Sequence, residues 1–225
     1  MESSLGHRWD ATPAEAREIQ QTLRGQVIPE DSFGAIRLVA GVDVGFEEHG
    51  TVTRAAIVVL RFPELTVHES TVSRRPTTFP YIPGLLSFRE APAVLQALTQ
   101  LSTPPDLLLC DGAGYAHPRR FGLACHLGVA SGIPAVGVAK SRLIGDYAPV
   151  PNERGAWQPL HDHGEVIGAV LRTKVNVQPL FISIGHRISL ASAIDYVLRC
   201  TLHYRLPETT RRAHNLASAK KTGAS

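Results

Sequence analysis

Between residues 36 and 73 the chain contains three runs rich in Val, Ile and Thr: Ile36–Phe46, Thr51–Phe62 and Leu65–Ser73. They are separated by short polar or Pro-containing turns, and connections that short join antiparallel neighbours, so this stretch predicts a three-stranded meander. Downstream the pattern changes. Ala93–Leu101 reads as a helix, Leu107–Cys110 as a short buried strand, residues from about Gly122 to Ser131 as a helix, and Ile133–Val138 as another buried strand. Such alternation implies a parallel pair. Val166–Thr173 and Leu180–Ile184 supply two further strands. An amphipathic helix over residues 11–26 follows the Thr12-Pro13 start signal, Ser189 can cap a later helix, and a last one begins near Pro207-Glu208-Thr209. The polar, Pro- and Gly-containing residues 146–163 read as a flexible loop, and an Ala/Lys/Ser tail from about residue 218 is expected to fray. The expected fold class is α/β: a mixed sheet, three antiparallel strands followed by parallel strands, flanked by helices.

A chain of 225 residues with 44% hydrophobic content is enough for one well-packed domain and short for two, so a single domain over 1–225 is expected. The formal charge is only +3, yet basic residues pair up at Arg74-Arg75, Arg119-Arg120, Arg211-Arg212 and Lys220-Lys221. That pattern permits a local basic surface suited to a phosphate-bearing partner. The three cysteines, Cys110, Cys125 and Cys200, lie far apart in apolar runs and read as reduced core residues rather than a disulfide framework. No apolar signal core opens the chain and no run approaches the roughly 20 apolar residues of a membrane span, so a cytoplasmic protein without a membrane partner is expected.

Residues 74–92 are the stretch that folding requirements explain least. Four prolines and Gly84 stiffen a loop that carries Phe79 and Tyr81 and ends in Arg89-Glu90. Two more carboxylates stand out. Asp43 lies within the apolar run Leu38–Phe46, where strand alternation puts Gly41, Asp43 and Gly45 on one face. A lone charge there is costly unless matched, and the glycines clear a strip along which something can approach closely; the plainer alternative is a buried Asp paired with an arginine or capping a turn. Asp111 ends the strand Leu107–Cys110 and is followed by Gly112-Ala113-Gly114, a place where ligands gather in parallel sheets, though Asp-Gly is also an ordinary turn. Ser87-Phe88-Arg89-Glu90 fits a capping box, which would make Glu90 a helix cap. Three carboxylates from three elements, with no His or Cys cluster at ligand spacing, favour a hard cation such as Mg²⁺, with Mn²⁺ as substitute, and metal-assisted phosphoryl chemistry.

The sequence resembles the endonuclease V family, deoxyinosine-directed nucleases of the ribonuclease H-like fold. The resemblance rests on Val39-Ala40-Gly41-Val42-Asp43-Val44, on Phe79-Pro80-Tyr81-Ile82-Pro83-Gly84-Leu85-Leu86-Ser87-Phe88-Arg89-Glu90, on Asp111-Gly112-Ala113-Gly114-Tyr115-Ala116-His117-Pro118-Arg119, on Gly137-Val138-Ala139-Lys140-Ser141 and on Gly185-His186-Arg187-Ile188-Ser189. It implies Asp43, Glu90 and Asp111 as metal ligands, His214 near the metal, and Lys140 near the reacting phosphate. It likewise implies Tyr81 as a wedge in the duplex, and Pro83, Gly84, Leu86, Arg89, Gly112, Gly114, His117 and Gly122 as substrate-binding residues around an extruded hypoxanthine. Ala113 departs from the polar residue of many members. The implied activity is DNA repair by Mg²⁺-dependent hydrolysis of the second phosphodiester 3′ of deoxyinosine, leaving 3′-hydroxyl and 5′-phosphate ends. The implied partner is inosine-containing DNA, and a monomer is expected. Plainer roles stay open at this stage: Tyr81 packed on the core, His117 and His214 as ordinary hydrogen-bonding residues, Lys140 as a strand-end cap. So do an inosine-directed ribonuclease, a module that binds modified bases without cutting, and a ribonuclease H-like recombination nuclease.

Overall fold

The structure, a computed structural model, describes residues 5–219. Its frame is an eight-stranded sheet in the order β3-β2-β1-β4-β5-β8-β7-β6. The predicted meander is its first part: β1 (Leu38–Glu47), β2 (Val52–Arg61) and β3 (Val67–Pro76) pair antiparallel in sequence. β4 (Leu107–Cys110) then joins β1 in parallel, and β5 (Ala135–Ala139) joins β4 in parallel, as the helix–strand alternation requires. Beyond them β8 (Leu180–His186) runs antiparallel to β5, followed by β7 (Glu165–Leu171) and β6 (Trp157–Asp162).

Helices cover both faces. One core packs α2 (Leu86–Leu98) and α3 (Leu123–Ser131) against residues such as Val42, Ile57 and Leu108, with α1 (Pro13–Arg24) alongside. The other sets α4 (Leu190–Arg199) and α5 (Glu208–Ser218) against Val39, Val58, Leu109 and Ile182. Full burial of these side chains stabilises the sandwich by about 1.5–3 kcal/mol each. The cysteines are free and buried, as expected.

Three expectations are corrected. Residues 146–163 are not simply a loop, because β6 forms within them and Asp146 bridges to His161 through bonds of 2.7 and 2.9 Å. Pro159 hides the strand in the sequence; it is tolerated because β6 is the sheet's edge. The second helix starts at Leu86 rather than Ala93 and runs through Pro92, its lost hydrogen bond outweighed by complete burial of Phe88, Ala91, Val94 and Ala97. Finally, Ser87 does not cap that helix: Leu85 is the N-cap residue, without a side-chain bond, and Ser87 lies inside the first turn, buried. α5 persists to Ser218, and the rest of the expected tail, residues 220–225, lies outside the described residues together with Lys220-Lys221.

Candidate active site

Strand register brings the first two carboxylates together. Val42 is paired with Cys110 across the parallel β1–β4 ladder, and the Asp111 amide donates to Val42 O at 3.0 Å. Asp43 and Asp111 are therefore successive residues on adjacent strands, whose axes lie about 4.8 Å apart. Asp43 Oδ1 accepts from the Val44 amide at 2.8 Å, while Oδ2 lies 2.7 Å from His214 Nδ1. Lys140, the residue after β5, places its ammonium on Asp111 Oδ2. Burial raises the Asp111 pKa; the Lys140 contact opposes this and the Asp43 charge adds to it.

The glycine strip explains how His214 arrives. A Cβ on Gly41 would lie 2.0 Å from Thr209 O, and one on Gly45 would lie 2.9 Å from Ala217 O. What approaches the cleared face is thus α5. Thr209, Ala213 and Ala217 recur every four residues, so they form one helix face that lies along β1 and is buried there. Eight helical residues rise about 12 Å, close to the roughly 13 Å that four strand residues cover. The two elements keep step, and His214, beside that contact face, meets Asp43.

The ligand atoms of Asp43, Asp111 and His214 all lie within 4.8 Å of one another. An ion with ligands at about 2.0–2.6 Å separates opposed donors by roughly 4–5 Å, so these three atoms can share one cation. Glu90, one turn into α2, is not one of these three, but it is buried within reach of the Asp43 and Asp111 charges. Burial pushes its carboxyl up to about 8, with the charges of Asp43 and then Asp111 contributing and Arg89 opposing. Carboxylates crowded enough to force a proton onto one another are the environment that a divalent cation relieves.

Beside the first turn of α2 lies a cavity of about 130 Å³ whose walls include Tyr81, Pro83, Gly84, Leu86, Ser87, His117 and Gly122. That is close to the ~150 Å³ that accommodates a benzene ring in an engineered core. Gly84 adopts φ 78, a left-handed conformation natural to glycine. Its carbonyl accepts from Arg119 Nη2 at 2.6 Å and from Gln20 Nε2 at 3.1 Å, and meets His117 Nε2 at 2.9 Å. His117 Nδ1 accepts from the Arg119 amide at 3.2 Å, so the ring proton sits on Nε2 and is donated to Gly84 O. Burial and the Arg119 charge lower the His117 pKa to about 4, which agrees with a neutral ring.

Tyr81 is 72% exposed, so the aromatic of this loop that packs on the core is Phe79 and not Tyr81. Arg89 lies 4.3 Å over the Phe46 ring and donates to Phe79 O at 3.2 Å, tying the loop to α2. Gly112 and Gly114 stand against β5, where a Cβ on Gly137 would meet Gly114 N at 2.4 Å and Gly112 O at 2.7 Å. Two residues are missed by sequence reasoning. Gln20 is wholly buried in α1, where it donates to both Gly84 O and Phe121 O at 3.1 Å and accepts from Arg119 Nε. Arg205 holds Lys140 O at 2.6 Å and Pro179 O at 2.9 Å, within reach of the Asp111 charge. Neither lies in a motif; a lone Gln or Arg carries no sequence signal of what it will touch.

The architecture recurs in known proteins. The profile of the family described as Endonuclease V matches residues 21–215. Endonuclease V of Nostoc sp. is 60% identical over 213 residues, covering 94% of this chain and 96% of the relative. The crystal structure of Endonuclease V from Streptomyces avermitilis superposes with TM-score 0.88 at 46% identity, covering 93% of this chain and 92% of that one. Endonuclease V of Ciona intestinalis, solved in complex with a 24-mer DNA containing an inosine followed by a ribo-adenosine, superposes with TM-score 0.78 at 27% identity, over 91% of this chain and 95% of that one. With its sheet and nearly its whole length in common with these nucleases, the chain belongs to the Endonuclease V family.

Proposed function

We propose that this nuclease recognises deoxyinosine by taking the base out of the duplex and hydrolyses the second phosphodiester 3′ of it, leaving 3′-hydroxyl and 5′-phosphate ends. The observation that carries the reading is the span of α2. Leu86 lines the base-sized cavity and Glu90 is within reach of the Asp43 and Asp111 charges, and residues four apart on a helix are neighbours on one face. Recognition and cutting are thereby one helical turn apart. The Ciona relative's inosine-containing DNA supports the choice of base. The ribo-adenosine in that DNA favours, as a second reading, acceptance of inosine-containing RNA.

Extrusion costs a few kcal/mol and is cheapest for a weakly paired base such as inosine. Tyr81, exposed and set between Pro80 and Pro83, fills the gap left in the stack with little ordering entropy to lose. The cavity then receives the hypoxanthine, while the Gly84 carbonyl stays occupied by His117, Arg119 and Gln20 and keeps the loop in place. Asp43, Asp111 and Glu90 would hold Mg²⁺, or Mn²⁺ in its place, with His214 beside them. When bound, the cation supplies Lewis acidity toward the phosphate and a more acidic water. Lys140, kept at the cluster by Asp111 and by Arg205 on its carbonyl, stabilises charge on the phosphate oxygens. The chain acts as one nuclease domain, as a monomer, in the cytoplasm; among the described residues no helix is long and apolar enough to cross a membrane.

The test is Mg²⁺-dependent nicking of strands carrying one deoxyinosine, one riboinosine or no lesion, with the cut mapped. Wild type should nick the deoxyinosine duplex at the second 3′ phosphodiester, and Asp43→Ala or Asp111→Ala should reduce the rate by at least 100-fold. Near wild-type rates in either variant would end the metal assignment. Tyr81→Ala should leave stability within about 0.5 kcal/mol, as expected for an exposed side chain. Its discrimination for inosine should fall about tenfold, in line with the ~1–3 kcal/mol of a base–aromatic stack; unchanged discrimination would remove the wedge.

A further inference from the structure

A file of hydrogen bonds runs from the N-terminal segment to the wall of the cavity. His7 Nδ1 lies 3.1 Å from Arg8 O, His7 Nε2 lies 2.9 Å from His126 Nε2, and His126 Nδ1 lies 3.0 Å from Ser87 Oγ. Its direction follows from its first member. A carbonyl oxygen only accepts, so His7 Nδ1 carries a proton and a neutral His7 offers Nε2 as an acceptor. The proton between the two rings then belongs to His126 Nε2. That leaves His126 Nδ1 bare, and the Ser87 hydroxyl donates to it. Both rings are held neutral by burial, which lowers the pKa of His7 and takes that of the wholly buried His126 well below the ordinary value. Trp9, Phe88 and Phe121 surround His126 with ring centroids at 4.7, 5.3 and 5.2 Å, leaving it no aqueous partner to exchange for Ser87.

Ser87 is buried and lines the cavity. A serine hydroxyl has one proton and two acceptor lone pairs; with the proton committed to His126, a cavity occupant meets lone pairs. We propose that Ser87 is a specificity-determining residue, polarised by the positioning residues His126 and His7, that accepts a hydrogen bond from a ring N–H. It thereby favours lactam bases such as hypoxanthine over bases whose corresponding ring nitrogen is bare, such as adenine. The inference rests on the reading of this cavity as the base pocket. A bare nitrogen against a committed acceptor leaves two buried lone pairs unmatched, and sites built to hydrogen-bond a group reject analogues that lack it.

The experiment uses the full chain and duplexes containing one deoxyinosine or one 2′-deoxynebularine, the unsubstituted purine with a bare N1. Binding in EDTA and single-turnover nicking with Mg²⁺ are both measured. For Ser87→Ala the inosine duplex should lose about tenfold in both, the loss of one hydrogen bond, while the nebularine duplex, relieved of the unmatched hydroxyl, loses nothing. His7→Ala, outside the cavity lining, should shrink the inosine-to-nebularine ratio severalfold. His126→Leu should shrink the ratio as well, and His126→Asn, whose amide oxygen can still accept from Ser87, should restore it. Equal losses on both duplexes, or an unaltered ratio in Ser87→Ala and His7→Ala, would reduce the file to a packing device and overturn the proposal. Failure of the wild type to bind or nick the inosine duplex would instead overturn the base-pocket reading beneath it.

Discussion

Burial, with the Asp43 and Asp111 charges adding to it, pushes the Glu90 carboxyl of the metal-free protein from the ordinary 4.5 up to about 8. Between those two values the folded chain binds a proton that the unfolded chain has released, so stability is greatest below the lower one and falls as pH rises through the upper one. At about 1.4 kcal/mol per unit the ceiling on this effect is a few kcal/mol. In EDTA, the melting temperature of the wild type should therefore fall between pH 5 and 8, and Glu90→Gln should flatten that slope. Equal slopes in the two proteins would show that Glu90 is ionised by a partner other than a cation. Of the cluster, Asp43 on its bare strip and Asp111 at a strand end were legible from periodicity, whereas Glu90 read equally as a helix cap and His214 and Lys140 came only from the resemblance to the family. Its supports were not legible. Gln20 sits in an amphipathic helix where glutamine is unremarkable, and its burial depends on Gly84 and Phe121, 64 and 101 residues away.

At the scale of elements, the same four-residue signature occurs twice with opposite outcomes. Thr12-Pro13-Ala14-Glu15 is a true capping box, with the Thr12 amide donating to Glu15 at 2.7 Å and the Glu15 amide to Thr12 Oγ1 at 3.3 Å. Ser87-Phe88-Arg89-Glu90 is not, because the Pro83-Gly84 turn, closed by Leu85 N donating to Ile82 O at 2.9 Å, starts the helix two residues earlier. That shift frees Ser87 for His126 and turns Glu90 toward the sheet. Local pattern cannot separate the two cases; the surroundings decide, exposed for Thr12 and buried for Ser87. The glycine strip on β1 was legible as a site of close approach, but its visitor, α5, arrives from more than 160 residues downstream. Gly41→Ala puts a methyl 2.0 Å from Thr209 O, backbone that cannot yield. Overpacking of this kind costs about 1–3 kcal/mol, and here the displaced element carries His214. Gly41→Ala should lower both the melting temperature and nicking, whereas Gly45→Ala, at 2.9 Å from Ala217 O near the helix end, should cost less. A Gly41→Ala protein with wild-type stability would show that α5 does not depend on the bare strip.

For the molecule as a whole, the cluster joins the beginning of the sheet to the end of the chain: Asp43 and His214 are 171 residues apart, and Asp111 follows β4 between them. The mixed sheet was foreseeable from its pieces, since short turns force antiparallel pairs and helical crossovers force parallel ones. The closure of α5 over β1 was not, because it depends on a contact between chain ends. A cation that takes donors from both ends binds the folded chain and not the unfolded one, so it stabilises the whole by mass action, by about 2.7 kcal/mol at a hundredfold excess over Kd. For a chain of this length that corresponds to a rise of roughly 5–10 °C in melting temperature. Saturating Mg²⁺ or Mn²⁺ should produce such a rise at neutral pH and slow amide exchange in α5, and EDTA should reverse both. Asp43→Ala and Asp111→Ala should melt at temperatures that no longer respond to the cation. A full response in either variant would place the ion elsewhere on the protein.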